Sequence, residues 1–347
     1  MQELLGRIAA LDPSASLGLR VIACFDELVV GNVNLHGLLA TAAALAGCPA
    51  GVRRGDAVTR VSVLGEALSG DAPGEVHALE VDAGTGGVAT RVWLERHGPE
   101  LANDAIIVER LALAVGIRYS GGSGGATRDV ARLLDRDADL DRRREAAARL
   151  HLSPTASYRA LATPLFADWS SHPSWPADVT ATAIGTIHAV IAPGDLNVSA
   201  APSTPCGLGV ATTIDGLADS FRTALIALQL CERPTTTVVD AAEYGGLVHL
   251  LAESPSDARN PDADSLESLM THAWARPTIA ALLDASSVRQ AARALDIHHS
   301  TMQTRLENVS AGLGFDPLDG MGRARLGVAF LTWRMRHSRA LELPPQR

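Results

Sequence analysis

Two short apolar stripes near the end of the chain, separated by a handful of residues, constrain its fold more than any other feature. Val288, Ala291, Ala292 and Leu295 recur at intervals of three, one and three, which puts them on one face of a helix. Met302, Leu306, Val309 and Leu313 repeat the pattern at four, three and four. With only Asp296 to Ser300 between the stripes, the spacing predicts two helices that cross sharply, and the small Ala291 and Ala292 let the second approach the first closely. At about 100° per residue, the face opposite the second stripe carries Ser300, Thr304 and Glu307, with Gln303 at its edge and His298 and His299 at the entry. Side chains of these types can exchange hydrogen bonds with base edges in a DNA groove. Ser300 and Thr301, beside the unpaired backbone N–H groups of a helix start, suit a phosphate. The same periodicity also fits an ordinary helical hairpin packed within a larger domain.

Residues 286–315 favour the first reading. The run Ser287-Val-Arg-Gln-Ala-Ala-Arg-Ala-Leu-Asp-Ile-His-His-Ser-Thr301, followed by Arg305-Leu306 and Gly312-Leu-Gly-Phe315, resembles the C-terminal helix-turn-helix of the PucR/CdaR family of bacterial transcription regulators, itself similar to the Fis-type module. The resemblance implies a second helix that reads double-stranded DNA, with His298, His299, Ser300, Thr301, Gln303, Thr304 and Arg305 as the candidate contacts. Two positions depart from the family pattern. Asp296 stands where many such turns carry glycine to reach positive φ, a conformation that Asp tolerates better than most residues. His298-His-Ser300 stands where relatives often place an arginine, and neutral histidines grip phosphate less firmly.

Net charge of −9 argues against a nucleic-acid partner until it is divided along the chain. From Asp284 onward, nine arginines face six acids, a local charge of +3, so the preceding residues carry −12. That asymmetry suits a DNA-binding tail on an acidic body. All 30 basic residues are arginine, which removes lysine chemistry such as a phosphate-loop lysine or a Schiff base. An apolar content of 47% over 347 residues supports two or three folded domains. There is no uncharged apolar run long enough to span a bilayer and no signal sequence, so a cytoplasmic protein that touches no membrane is expected. Cys24, Cys48, Cys206 and Cys231 lack metal-type spacing, and buried thiols are expected in place of a disulfide framework or a zinc site.

Patterning divides the rest of the chain into blocks, and the predicted class is multidomain α+β. Leu4, Leu5, Ile8 and Leu11 form one helical stripe, Ser16 to Val30 form a second segment after Pro13, and residues 1–31 make an N-terminal helical section. A helix over Leu38 to Ala46 precedes short strands at Ala50–Arg53, Arg60–Leu64, Val76–Val81 and Val88–Leu94, the last two joined by a Gly84-Thr-Gly-Gly87 turn. A helix over Pro99–Tyr119 follows. Leu38 to Gly51, with its Ala46-Gly-Cys-Pro-Ala-Gly51 turn, resembles the entry to a GAF domain, which implies a sensory role for residues 32–120; a small α+β domain that only dimerises fits equally. Ser120 to Ala126 read as a flexible linker, since they lack the lysine-containing ending of a phosphate loop.

Beyond the linker, helices are expected at Thr127–Leu134 and Leu140–Leu150, strands at Tyr158–Leu165, Ala183–Ala192, Gly207–Ala211 and Thr236–Asp240, and a helix at Leu217–Cys231. Leu133-Leu134, Ala146 to Leu152, Tyr158-Arg-Ala-Leu161, Gly207-Leu-Gly-Val210 and Ser220 to Leu228 resemble the GGDEF-like central domain of PucR/CdaR regulators, here spanning 127–252. Cyclase chemistry needs paired carboxylates at a glycine turn, and the stretch between the strands at 183–192 and 207–211 offers only Asp195, so a catalytically silent version is implied. Glu253 to Asp264 read as a hinge to a helix-turn-helix domain at 264–340. Neither a Gly-x-Ser-x-Gly elbow nor a His-Glu-x-x-His pair is present; His188 reads as a core or edge residue, and Trp169 and Trp175 read as caps on a core.

These patterns point to a DNA-binding regulator without enzymatic activity or cofactor, responsive to a small-molecule effector whose site the sequence does not mark. It is expected to dimerise on repeated half-sites. The competing reading is a signalling protein that binds a small molecule or nucleotide and docks another protein through its C-terminal helices; such a docking face would carry apolar anchors where Ser300, Gln303 and Thr304 stand.

Overall fold

The computed structural model describes residues 13–31, 33–70, 77–81, 89–120, 128–169, 173–197, 200–255 and 258–342. The chain forms two compact units, one of residues 1–244 with 339–347 and one of residues 245–338. The stripe at Leu4 to Leu11, the turn at Gly84 to Gly87 and the linker segment from Gly121 to Ala126 lie outside the described residues.

In the first unit, helices α1 (Pro13–Val30), α2 (Leu35–Ala46) and α3 (Asp104–Ser120) accompany a five-stranded antiparallel sheet of β1 (Ala50–Arg54), β2 (Ala57–Val61), β3 (Ala67–Leu68), β4 (His77–Val81) and β5 (Thr90–Leu94). The strand order is β3-β2-β1-β5-β4. Helix α2 is apolar almost all round, as a helix buried on several sides must be. Leu38, Leu39, Ala42 and Ala43 are no more than 1% exposed, in one core with Phe25, Val52, Leu94 and Leu111. Asn34 starts α2 with its Oδ1 accepting from the Gly37 N–H at 2.9 Å.

After α4 (Asp129–Leu134) and α5 (Leu140–Arg149), a second sheet is built from β6 (Tyr158–Thr163), β7 (Ala177–Thr182), β8 (Gly185–Pro193), β9 (Cys206–Leu208) and β10 (Val238–Asp240), in the order β10-β9-β6-β8-β7. Helix α6 (Leu217–Gln229) connects β9 to β10, which pair in parallel. A Cβ on Gly207 of β9 would fall 2.1 Å from the Ala224 carbonyl oxygen of α6, so only glycine lets helix and strand meet backbone to backbone.

Two expectations need correction here. The sequence reading had no strand at 177–182, and it had a strand over 60–64 where β2 ends at Val61 and a turn follows. Strand β7 pairs with β8 through a tight turn at Ala183 and Ile184, whereas Asp195, read as lying at the critical turn, sits exposed after β8. None of the four cysteines is in a disulfide, and all are buried. His188 and Trp169 are buried, at 1% and 7% exposure.

Asp178 on β7 is 2% exposed and accepts from Asn34 Nδ2 at 2.6 Å, which ties the α2 cap to the second sheet. Burial raises its carboxyl from the ordinary 3.8 to about 6, against hydrogen bonds that act the other way.

The second unit is helical: α7 (Gly246–Glu253), α8 (Pro261–Met270), α9 (Ala275–Asp284), α10 (Val288–Ala294), α11 (His299–Leu313) and α12 (Gly320–Arg336). Leu266, Ile279, Val309, Leu326 and Phe330 share one core. Ala291, Ala292 and Met302 form a second with Leu282, against which Val288, Leu295 and Leu306 pack.

Two outcomes follow. Ala292 is 2% exposed against Met302, so Ala292→Leu overpacks the junction and costs about 1–3 kcal/mol, read as a lower midpoint in thermal unfolding followed by circular dichroism. For Asp178 the folded-state value lies above the unfolded one, so its favourable contribution is full below pH 3.8 and is lost as pH rises through about 6. Across that window Asp178→Asn should lack a decline of about 3 kcal/mol that wild type shows in urea unfolding. Parallel pH profiles for the two proteins would contradict the assignment.

Candidate nucleic-acid interface

Helix α10 opens on Ser287, whose hydroxyl accepts from the Gln290 N–H, and it ends in a turn closed by the Ile297 N–H on the Ala292 carbonyl at 3.0 Å. Such a closure needs a left-handed residue just past the helix. Asp296 supplies it with φ 51°, as its position in the sequence led us to expect. The next helix, α11, starts at once, with His298 as its cap.

The cap alters one expectation. His298 Nδ1 lies 3.3 Å from the Ser300 N–H and 2.7 Å from Ser300 Oγ, so part of the helix terminus read as open to phosphate is occupied by the protein's own imidazole. Thr301 is exposed beside it. Ser300, Gln303, Thr304 and Glu307 all face outward, and Met302, Val309 and Leu313 are buried, as the wheel requires. The Thr304 hydroxyl donates to the Ser300 carbonyl at 3.2 Å, whereas the Gln303 side chain makes no hydrogen bond among the described residues. A Gln amide presented in this way has a donor and an acceptor open side by side, the pattern that matches an adenine edge.

The remaining two candidates sit on the flanks. His299 is half-buried, its Nδ1 shielded from solvent. Arg305 turns inward: its Nη1 donates to the buried Thr278 hydroxyl at 3.2 Å, and its guanidinium lies 5.8 Å from the Trp274 ring centroid.

The positive charge of this region is also redistributed. Arg325 grips Asp262 through two bonds of 2.8 and 2.9 Å and lies 3.8 Å from the centre of the Phe315 ring. Arg336 pairs with Asp264 at 2.7 Å, and Arg323 donates to the Leu282 and Ala285 carbonyls. Both Asp262 and Asp264 are held below the ordinary carboxylate value by these arginines. Arg289 and Arg293, one turn apart on the outer side of α10, are exposed and carry no ion pair among the described residues. The charge count weighs all nine arginines alike; the four-residue spacing of Arg289 and Arg293, off the apolar stripe of α10, is the signal in the sequence that could set these two apart.

Among the described residues, no helix is long and apolar enough to cross a membrane, and no group of three or more His, Cys, Asp or Glu side chains is placed to hold a metal ion. No curated protein matches the chain. Among solved structures, it is similar to the regulator of polyketide synthase expression from Bifidobacterium adolescentis, at 16% identity over 60% of this chain and 96% of that one, with a TM-score of 0.28, too low to equate the two arrangements. The helical unit itself is matched more specifically: residues 275–332, within α9 to α12, fit the family model of the PucR C-terminal helix-turn-helix domain.

Proposed function

We propose that the chain is a one-component transcription regulator of the PucR/CdaR type, cytoplasmic and dimeric, in which α11 enters the major groove of double-stranded DNA. Gln303 is the principal base reader, with Ser300, Thr301 and Thr304 around it and His298 and His299 at the entry. Arg289 and Arg293 on α10 hold the phosphate backbone, and Arg305 supports the reading helix from behind. Support comes above all from the outward polar face of α11, fixed by burial of its opposite face, within the segment that fits the PucR-type module. An apolar docking surface would present anchors where Ser300, Gln303 and Thr304 stand.

Residues 32–252 take the regulatory part in this proposal: a GAF-like sensory domain at 32–120 that responds to a small molecule, and a GGDEF-like domain at 127–252 that is catalytically silent. In favour of silence, the hairpin turn of β7 and β8 carries Ala183 and Ile184, with no carboxylate to hold a magnesium ion.

The test is a gel-shift assay at fixed salt with the DNA flanking the chain's own gene. Wild type should retard a discrete fragment, and Gln303→Ala with Thr304→Ala should weaken that binding, each by ~1–3 kcal/mol if it reads a base, without changing the unfolding midpoint. Equal affinity of the two proteins would remove α11 as the reader. Arg305→Ala should do the reverse, lowering the unfolding midpoint by loss of the Thr278 bond and the Trp274 contact, about 1–2 kcal/mol together. An unchanged midpoint would show that Arg305 does not support the fold.

A further inference from the structure

The first unit holds a cavity of about 490 Å³, within the range of about 300–1,000 Å³ typical of small-molecule sites, where several elements begin or end. Val30 closes α1, Asn34 caps α2, Arg118 lies in the last turn of α3, Asp129 starts α4, Arg149 ends α5 and Trp175 leads into β7. Two carboxyl groups in its wall are almost wholly buried, Asp129 at 4% and Asp178 at 2% exposure.

Charges of both signs thus meet around one hollow. Arg149 grips Asp129 through Nε and Nη2 at 3.0 and 2.8 Å. Its Nη1 lies 3.9 Å from Glu145 Oε2, beyond hydrogen-bond distance, so N–H groups on that edge can still meet a second anion. Burial pushes the Arg118 guanidinium down, and the nearby Asp178 acts in the opposite direction. Burial likewise disfavours the charged form of Asp178 and outweighs its hydrogen bonds and the nearby Arg128, so a ligand cation beside it would add compensation that water cannot. Trp175, Pro176, Val130 and Leu150 contribute apolar surface between these groups.

We propose that this cavity binds a small zwitterion with an apolar body, of the kind an α-amino acid with a large side chain represents. Its cation faces Asp178, its anion meets Arg118 and Arg149, and its body lies along Trp175 and Leu150. The site gives chemical identity to the effector of the regulator proposed above, and rests on that reading for its role though not for its existence.

Isothermal titration of the full chain tests it with L-phenylalanine, 3-phenylpropionate, which lacks the ammonium group, and phenethylamine, which lacks the carboxylate. L-Phenylalanine should give saturable heat at millimolar concentration, with each analogue weaker by about tenfold or more. Trp175→Ala should weaken L-phenylalanine by about fivefold or more, and Arg118→Gln should bring it down to the affinity of phenethylamine, both with unchanged circular dichroism. Absence of saturable heat with wild type, equal affinity for all three compounds, or indifference to both substitutions would overturn the proposal. Gel shifts on the same preparations separate the two readings: DNA binding without ligand heat removes the cavity site alone, and ligand heat without DNA binding removes the regulator reading and leaves the site.

Discussion

Asp178 and Asn34 stand 144 residues apart in sequence and 2.6 Å apart in space, and much of the first unit is organised around that meeting. Asn34 uses its carbonyl oxygen to start α2 and its amide nitrogen to hold Asp178, so one side chain serves a local cap and a distant tie at once. Asp178 in turn accepts from the Val179 N–H at 2.8 Å and from the Ala131 backbone of α4. An apolar helix, α2, can lie between two sheets only if its end is satisfied without water, and a buried carboxylate is tolerated only where several donors converge on it. Each group is the solution to the other's problem.

In the helical unit the organising constraint is steric. Ala291 and Ala292 keep the junction of α10 and α11 thin, and Met302 fills what remains. The arginines then divide by task. Arg305, Arg323, Arg325 and Arg336 brace helices against one another through hydroxyl, carbonyl and carboxylate partners, while Arg289 and Arg293 are left to the solvent. Of a local charge of +3, the part that can act on a polyanion is a matter of where each guanidinium points, not of the count.

Much of this could be read from the residues. The stripes at 288–295 and 302–313 located α10 and α11 because helical periodicity is local and every stripe residue is buried in or packs against a core of the unit. Asp296 could be read as the positive-φ turn because few residues tolerate it. Strand β7 escaped notice because Ala-Asp-Val-Thr-Ala-Thr is short, carries a charge and lacks bulky alternation; only its pairing with β8 and the partners of Asp178 make it a strand. Arg305 was grouped with the DNA contacts because sequence neighbours on a helix share a region but not a direction, and its inward course depends on Thr278 and Trp274, which lie 27 and 31 positions away. The cavity beside Asp178 draws on six separate elements, and no window of sequence contains it.

Gly207 has a mechanical meaning as well. Where side chains separate a helix from a sheet, rotamer changes can absorb small displacements, but at Gly207 the contact between α6 and β9 is backbone against backbone. It has no rotamers to change. A shift of α6 must therefore carry β9 with it, and through β9 the paired strands β6 and β10, as a single stiff block. At the opposite border of the sheet, α2 meets β7 through side chains, the Asn34–Asp178 hydrogen bond and Val179 in the apolar core of α2, so small adjustments within the first unit fall to that joint.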